Sequence, residues 1–396
     1  MVYQILKKLE RVVIVHRRTT NHVGSAPAAK DDRRRPEHAI PSRRLGIAPT
    51  MPIHLLDNAY PWLASHSGFS LLPRSLQLNG CRNIVIKPKR GLLARAIGKS
   101  YSTWKRYPPR NQFAAAAECH FLFGMRLHQS PGHVLFLEEH LRFLPRPSNA
   151  QRWIGTIHLP RRCWSSSDLE LLGFLPGVFV LCDSMRDEFD DILDRSQIKV
   201  LPYGVDTSFF KPHTKLHKTI PKTLLYVGAW LRNTAMLARL VPEISRKFPD
   251  VTFDLIVPMH ARSDAALKTL FGNPRLRWHH NLSDEDLRSL YQTATTLLMP
   301  MEDGGANSAV VEALACGLPI VTTDTGGIRS YGGDTMFPLV KNNDDKSCVD
   351  LVATYLTEPQ FASAVSKKCR EFAETKLEWT IAAKEYIDAY RSLGFI

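Results

Sequence analysis

No uninterrupted apolar run in these 396 residues reaches the length of a bilayer span, so the pattern offers no transmembrane helix. The seven cysteines (Cys81, Cys119, Cys163, Cys182, Cys316, Cys348 and Cys369) include no C-x-x-C pair and no tight Cys/His cluster. That leaves neither a zinc module nor a disulfide scaffold to build on. The thiols fit a reducing compartment, and Cys182 and Cys316, set in apolar runs, read as core residues. RNA-recognition, KH, zinc-finger and basic-zipper signatures are missing too, which counts against a nucleic-acid-binding module. A secretory leader is not expected, because the apolar stretch Val12–Val15 is short and basic residues follow it. Acid is missing locally: Arg74–Arg110 holds ten Lys/Arg and no Asp or Glu.

What is present suffices for two globular cores, given the length and a hydrophobic content of 44%. The net charge of +14 is unevenly spread. Residues 1–50 carry eleven Lys/Arg against four acids, Arg74–Arg110 carries the rest of the excess, and the remainder is slightly acidic. Residues 1–50 are rich in Arg, Pro and Ala without sustained periodicity, and are expected to form a basic, disordered N-terminal extension.

From about Ile53, short apolar runs alternate with helix-length segments. Strands are predicted at Asn83–Ile86, His133–Leu137, Trp153–Ile157, Val178–Leu181 and Ile198–Leu201, and a helix from Gly68 to Leu78. This is the pattern of a mostly parallel sheet covered on both faces. The polar segment YGVDTSFFKPHTKLHKTIPK, with its glycine and two prolines, reads as a linker. A second series follows at Thr223–Val227, Phe253–Val257, Leu276–His279, Thr296–Met299 and Leu318–Thr322, and a terminal helix at Glu378–Leu393. Two Rossmann-like units in series make a cleft, with ligands expected at the carboxyl ends of the strands.

The segment Met301–Gly327, MEDGGANSAVVEALACGLPIVTTDTGG, is the richest in chemistry. Asn307 or Ser308 can cap a short helix, Gly317 suits the left-handed position after it, and Pro319 forbids continuation. Glu312 is the only charge in that helix, and a buried carboxylate needs a partner. Gly304 and Gly305 leave the helix N-terminus bare, and its free N–H groups and positive dipole end suit a diphosphate. A carboxylate one turn later can accept from ribose hydroxyls. A structural reading, with Glu312 in solvent or paired to an Arg, is open on these residues alone.

VEALACGLPIVTTDTGG resembles the donor-site signature of the GT-B-fold retaining glycosyltransferases of family 4 (glycosyl transferases group 1). TIHLP, FVLCDSM, KVLPYGVDTSFFKP, LLYVGAW and LSDEDLRSLYQTATTLLMP fall in that family's order, and the likeness extends from about Ile53 to the C-terminus. The resemblance implies an α/β GT-B fold, two Rossmann-like doubly wound domains facing an inter-domain cleft. It divides the chain into residues 1–50, an acceptor-side domain 51–205, a nucleotide-sugar donor domain 206–380, and a terminal helix 381–396 crossing back to the first domain. The implied activity moves a sugar from a nucleotide-diphosphate donor to an acceptor hydroxyl with retention, without cofactor or metal.

Site residues follow from the same resemblance. Arg232, after LLYVGAW, takes the place of the basic residue on the donor diphosphate, which a guanidinium fork suits. His158 takes the place of a histidine beside the reacting carbon. Gly304, Gly305, Asn307, Ser308 and Glu312 bind the donor, and Gly68 matches an acceptor-side glycine loop. Two departures stand out. The family's second basic residue after this strand is absent, with Asn233 or Arg262 as substitutes. The first acid, normally eight residues before the second, is replaced by Gly304, which leaves Glu302 or Asp303 for the donor sugar. A sugar-nucleotide-binding protein with weakened catalysis is therefore an alternative. The acidic runs Asp284–Asp286 and Asp344–Asp345 read as a helix N-terminus after a Ser283 cap and as a polar turn rather than metal ligands. The basic, aromatic-bearing stretch Arg74–Arg110 suits peripheral contact with an anionic membrane at the cytoplasmic face, or a phosphate-rich acceptor.

Overall fold

A computed structural model describes residues 51–58, 65–106, 111–149, 151–213 and 222–396. The basic extension 1–50, residues 107–110 of the basic stretch and residues 214–221 of the linker lie outside them.

The first half runs β1 (Ile53–Leu56), α1 (Leu72–Leu78), β2 (Asn83–Ile86), α2 (Leu92–Lys105), α3 (Gln112–His128), β3 (Gly132–Val134) and α4 (Leu137–His140). It continues with β4 (Trp153–Ile157), α5 (Ser166–Leu172), β5 (Val178–Val180), α6 (Asp183–Phe189) and β6 (Ile198–Val200). These six strands form one sheet in the order β2-β1-β3-β4-β5-β6, every neighbouring pair parallel. The second half has β7 (Thr223–Val227), α7 (Thr234–Lys247), β8 (Thr252–Ile256), α8 (Ala265–Lys268), β9 (Leu276–His279), α9 (Asp284–Thr293) and β10 (Thr296–Met299). It ends with α10 (Ser308–Ala315), β11 (Ile320–Thr322), α11 (Asp345–Thr357), α12 (Pro359–Phe372) and α13 (Trp379–Ser392). Its five strands are also parallel, in the order β11-β10-β7-β8-β9.

Parallel strands with helices on both faces have no wet side, which is why Trp153–Ile157 and Thr296–Met299 are buried at every position. Several predicted ends move. The strand expected at His133–Leu137 is Gly132–Val134 and stops early, because Leu137 opens α4 with Glu138 and Glu139 in its first turn, where acids are favoured. Gly132 joins the strand because Phe121 and Met125 pack where its side chain would stand. The strand expected from Leu318 begins at Ile320: the Leu318 amide closes α10 onto Ala313 O, and Pro319 has no N–H for a ladder. The strand expected at Phe253–Val257 lies one residue earlier, and the helix expected from Gly68 splits into a 3-10 turn, Gly68–Ser70, followed by α1.

The last helix, α13, packs on α1 of the first half, and the Asn79 side chain donates to Thr380 O at 2.9 Å. His133, fully buried on β3, joins Tyr390 OH of α13 and Thr156 Oγ1 of β4, each at 2.7 Å. Burial chiefly, with His158 adding, pushes His133 down to about 3, so this strut is neutral at physiological pH.

Candidate active site

The carboxyl ends of the two sheets meet. From the first half come the Ser67–Gly68 turn after β1, Glu138 after β3, His158 after β4, Cys182 and Met185 after β5, and Tyr203 after β6. From the second come Arg232 after β7, the Met301–Asn307 loop after β10, and Gly326–Gly327 after β11.

α10 forms as the capping pattern requires. The Asn307 side chain accepts from the Ala309 amide at 3.0 Å, and Gly317 takes a left-handed φ of 65° behind the helix. Among the described residues, the amide of Ser308 has no acceptor. Arg232 lies against this helix end: its Nη2 donates to Asn307 Oδ1 at 3.2 Å, its Nε to Val227 O and its Nη1 to Trp230 O, both at 3.0 Å. No described carboxylate pairs with it, and burial holds its pKa below the usual guanidinium range. A side chain on Gly228 (φ 90°) would stand 2.9 Å from that guanidinium, so the turn after β7 admits the arginine only beside a glycine. An uncompensated cation beside the free amide at a helix N-terminus is a ready anion site.

Glu312 is buried. Its Oε1 accepts from Ser67 Oγ at 2.6 Å, across from the first half, and its Oε2 from Tyr291 OH at 2.8 Å. Desolvation outweighs these two hydrogen bonds and lifts its pKa to about 7. Ser308 Oγ lies 3.1 Å from Tyr203 OH. Gly304 and Gly305 fold tightly: the Gly327 amide donates to Gly304 O, and a side chain on Gly305 would meet Met185 Sδ at 2.6 Å. Asp303 bonds its own loop through the Gly304 amide at 2.7 Å and crosses the cleft to Arg162 Nη2 at 3.0 Å. Glu302 is exposed.

His158 stacks on Phe136, ring centroids 4.6 Å apart, with Phe69 edge-on at 5.2 Å. Its Nδ1 lies 3.3 Å from Glu138 Oε1 without the alignment of a hydrogen bond. Both ring nitrogens and Glu138 Oε2 are buried without a hydrogen-bond partner among the described residues. Such groups are costly to leave unsatisfied and point to a ligand.

Some readings change. Gly68 has φ 72°, and an added side chain would lie 2.3 Å from Tyr203 OH, so the close approach that requires glycine is made by this tyrosine. Neither proposed substitute for the missing basic residue is free. Asn233 caps α7 and donates to Asn342 and Asn343, and Arg262 donates to Val257 O and His279 O. Asp286 caps with Ser283, Asp284 accepts from the Ser65 amide, Asp344 caps α11 and Asp345 pairs with Arg239. Sequence reasoning missed Ser67, Tyr203, Tyr291, Arg162 and Glu138. Only Glu138 carried a signal, as an acid at a strand's carboxyl end.

Residues 221–358 match the family described as Glycosyl transferases group 1. The D-inositol 3-phosphate glycosyltransferase of Nocardioides is 24% identical over 225 residues, covering 50% of this chain and 49% of that protein. The sulfoquinovosyl transferase SQD2 of Arabidopsis thaliana is 25% identical over 199 residues, covering 47% and 38%. The matched segments thus span half or less of these relatives' length. Among solved structures, Anabaena Alr3699/HepE in complex with UDP and glucose superposes with a TM-score of 0.66 at 14% identity, covering 86% of this chain and all of that one. Sucrose-phosphate synthase from Thermosynechococcus elongatus gives 0.63 at 16%, covering 87% and 99%. With two parallel sheets meeting at their carboxyl edges, the molecule has the GT-B fold of these solved structures, and its second half carries the match to the glycosyl transferases group 1.

Proposed function

We propose that this protein transfers a sugar from a nucleotide-diphosphate donor to an acceptor hydroxyl with retention of anomeric configuration, the second half (206–380) binding the donor and the first (51–205) the acceptor. The observation that carries this reading is Arg232, a cation without a described counter-charge beside the N-terminus of α10, where the Ser308 amide is left unbonded. A diphosphate there completes the electrostatics of both groups. As the bond from sugar carbon to phosphate oxygen breaks, Arg232 and the Ser308 amide stabilise the charge developing on the leaving diphosphate. The acceptor oxygen bonds to the same carbon, and its proton passes to the leaving phosphate, so no protein base is required.

Glu312 takes the donor ribose once its hydroxyls displace that of Ser67. Asp303, drawn into the cleft by Arg162, takes the sugar hydroxyls, with Glu302 at the rim. His158 and Glu138 face the reacting centre. The likeness to a protein solved with UDP makes UDP-sugars the first donors to try.

A thermal-shift screen of nucleotide sugars tests donor binding, since a ligand of the native state raises apparent stability by mass action. A donor that stabilises the wild type and not Arg232→Ala, and is consumed with formation of an α-linked product, supports the proposal. Stabilisation by no nucleotide sugar refutes it. Donor binding without turnover favours the reading of weakened catalysis, which the pairing of Asp303 with Arg162 recommends.

A further inference from the structure

Three successive residues of the turn after β1 are fastened across to the linker and the second half. The Ser65 amide donates to Asp284 Oδ2, at the start of α9, at 3.0 Å. His66 Nδ1 lies 2.9 Å from Asp206 Oδ2, the His66 carbonyl accepts from the Asp206 amide, and the ring stacks on Phe209 with centroids 3.6 Å apart. Ser67 Oγ donates to Glu312, both residues being buried. The turn closes on itself through Ser70 Oγ, which donates to Ser67 O at 3.1 Å.

The two partners of Glu312 differ in origin. Tyr291 belongs to α9 of the second half and stays with the carboxyl whatever the first half does. Ser67 is borrowed from the first half, so its bond is lost when the halves part. Asp303 is served in the same way, by Arg162 from the first half. Both carboxyls assigned above to donor hydroxyls thus hold a hydrogen-bond donor from across the cleft. Arg232 and the Ser308 amide, assigned to the diphosphate, hold no described anion. The chain imitates the hydroxyls of a nucleotide sugar and not its phosphates.

We propose that the turn Ser65–Gly68 is an autoinhibitory strap, in which the Ser67 hydroxyl stands in for a ribose hydroxyl on Glu312 and a nucleoside diphosphate must break that bond to enter. The inference rests on the donor reading of Glu312 given above. A site that is competent only with the strap off binds with an affinity reduced in proportion to the fraction of molecules in that state. What must be broken is one hydrogen bond to a charged group, which sets the effect at about tenfold in affinity.

The test is calorimetric titration of the full chain with UDP, GDP and ADP, continued with whichever binds most tightly. Ser67→Ala should bind that nucleotide about tenfold more tightly than the wild type, yet unfold at a lower temperature because Glu312 has lost a partner. A contact that only supports the fold would lower both. The gain should vanish with an analogue lacking both ribose hydroxyls, which offers Glu312 nothing. His66→Ala frees the turn from Asp206 and Phe209 without touching Glu312, and should tighten binding in the same direction by a smaller factor. If the wild type binds a nucleotide and neither variant binds it more tightly, the strap is overturned and the donor reading stands. An equal gain for the analogue also overturns it, since the turn then only props the cleft shut. If no nucleotide binds the wild type or either variant, the donor reading falls and the strap falls with it.

Discussion

Ser67 Oγ donates to Glu312 Oε1 at 2.6 Å, tying the turn after the first strand to the helix that precedes the last one, 245 residues away. With Tyr291 on the other oxygen, the carboxyl accepts from two hydroxyls, and no described cation pairs with it. In the donor complex proposed above, a ribose hydroxyl takes the place of Ser67 on this carboxyl.

The first prediction concerns pH. The Glu312 pKa rises from 4.5 to about 7 on folding, so its contribution to stability is full below about 4.5 and is lost as pH rises through about 7. The window is worth on the order of 3 kcal/mol at about 1.4 kcal/mol per pKa unit. In Glu312→Gln the fall in unfolding free energy between pH 4.5 and 8 should shrink by roughly that amount. Denaturant titrations of both proteins across the range check it, and parallel curves would refute the shift.

Arg232→Ala should fold and lose transfer by about a hundredfold or more, as removing one preorganised charge stabiliser does elsewhere. Arg232→Lys should recover little of it, because an ammonium cannot reach Asn307 and the carbonyls of Val227 and Trp230 as the planar fork does. Steady-state rates with a saturating donor settle the matter; near-wild-type rates in either variant remove Arg232 from the site.

Glu138 is expected to trade stability for function. Its buried Oε2 is unpaired, so Glu138→Leu should raise stability by about 1 kcal/mol or more. The same change should cut transfer, chiefly through acceptor KM if Glu138 meets the acceptor. Thermal denaturation and acceptor titration read the two effects separately, and a variant with lower stability and unchanged transfer would make the carboxyl purely structural.

Gly68→Ala should be costly for a reason unrelated to catalysis. A left-handed φ of 72° costs an L-residue roughly 1–2 kcal/mol, and the new methyl would press on the Tyr203 hydroxyl. Gly80→Ala (φ 80°), with nothing near its missing side chain, is the control and should show the backbone cost alone. Equal losses at the two positions would mean that Tyr203 gives way freely.

Much of the architecture was legible in local pattern. Trp153–Ile157, Thr223–Val227, Leu276–His279 and Thr296–Met299 stand where short apolar runs predict strands, because strands covered on both faces have no polar position to blur the signal. The cap at Asn307 and the left-handed Gly317 were equally local, since each answers to backbone groups within a few residues. The sequence also required a partner for Glu312, from the cost of burying a charge. Only the tertiary structure decided that the partners are Ser67 and Tyr291, that Arg162 crosses to Asp303, and that Glu138 lies beside His158. Serine and tyrosine hydroxyls carry no pattern of their own, and a contact between positions far apart in the chain depends on how two sheets meet. No periodicity or spacing along either one records that.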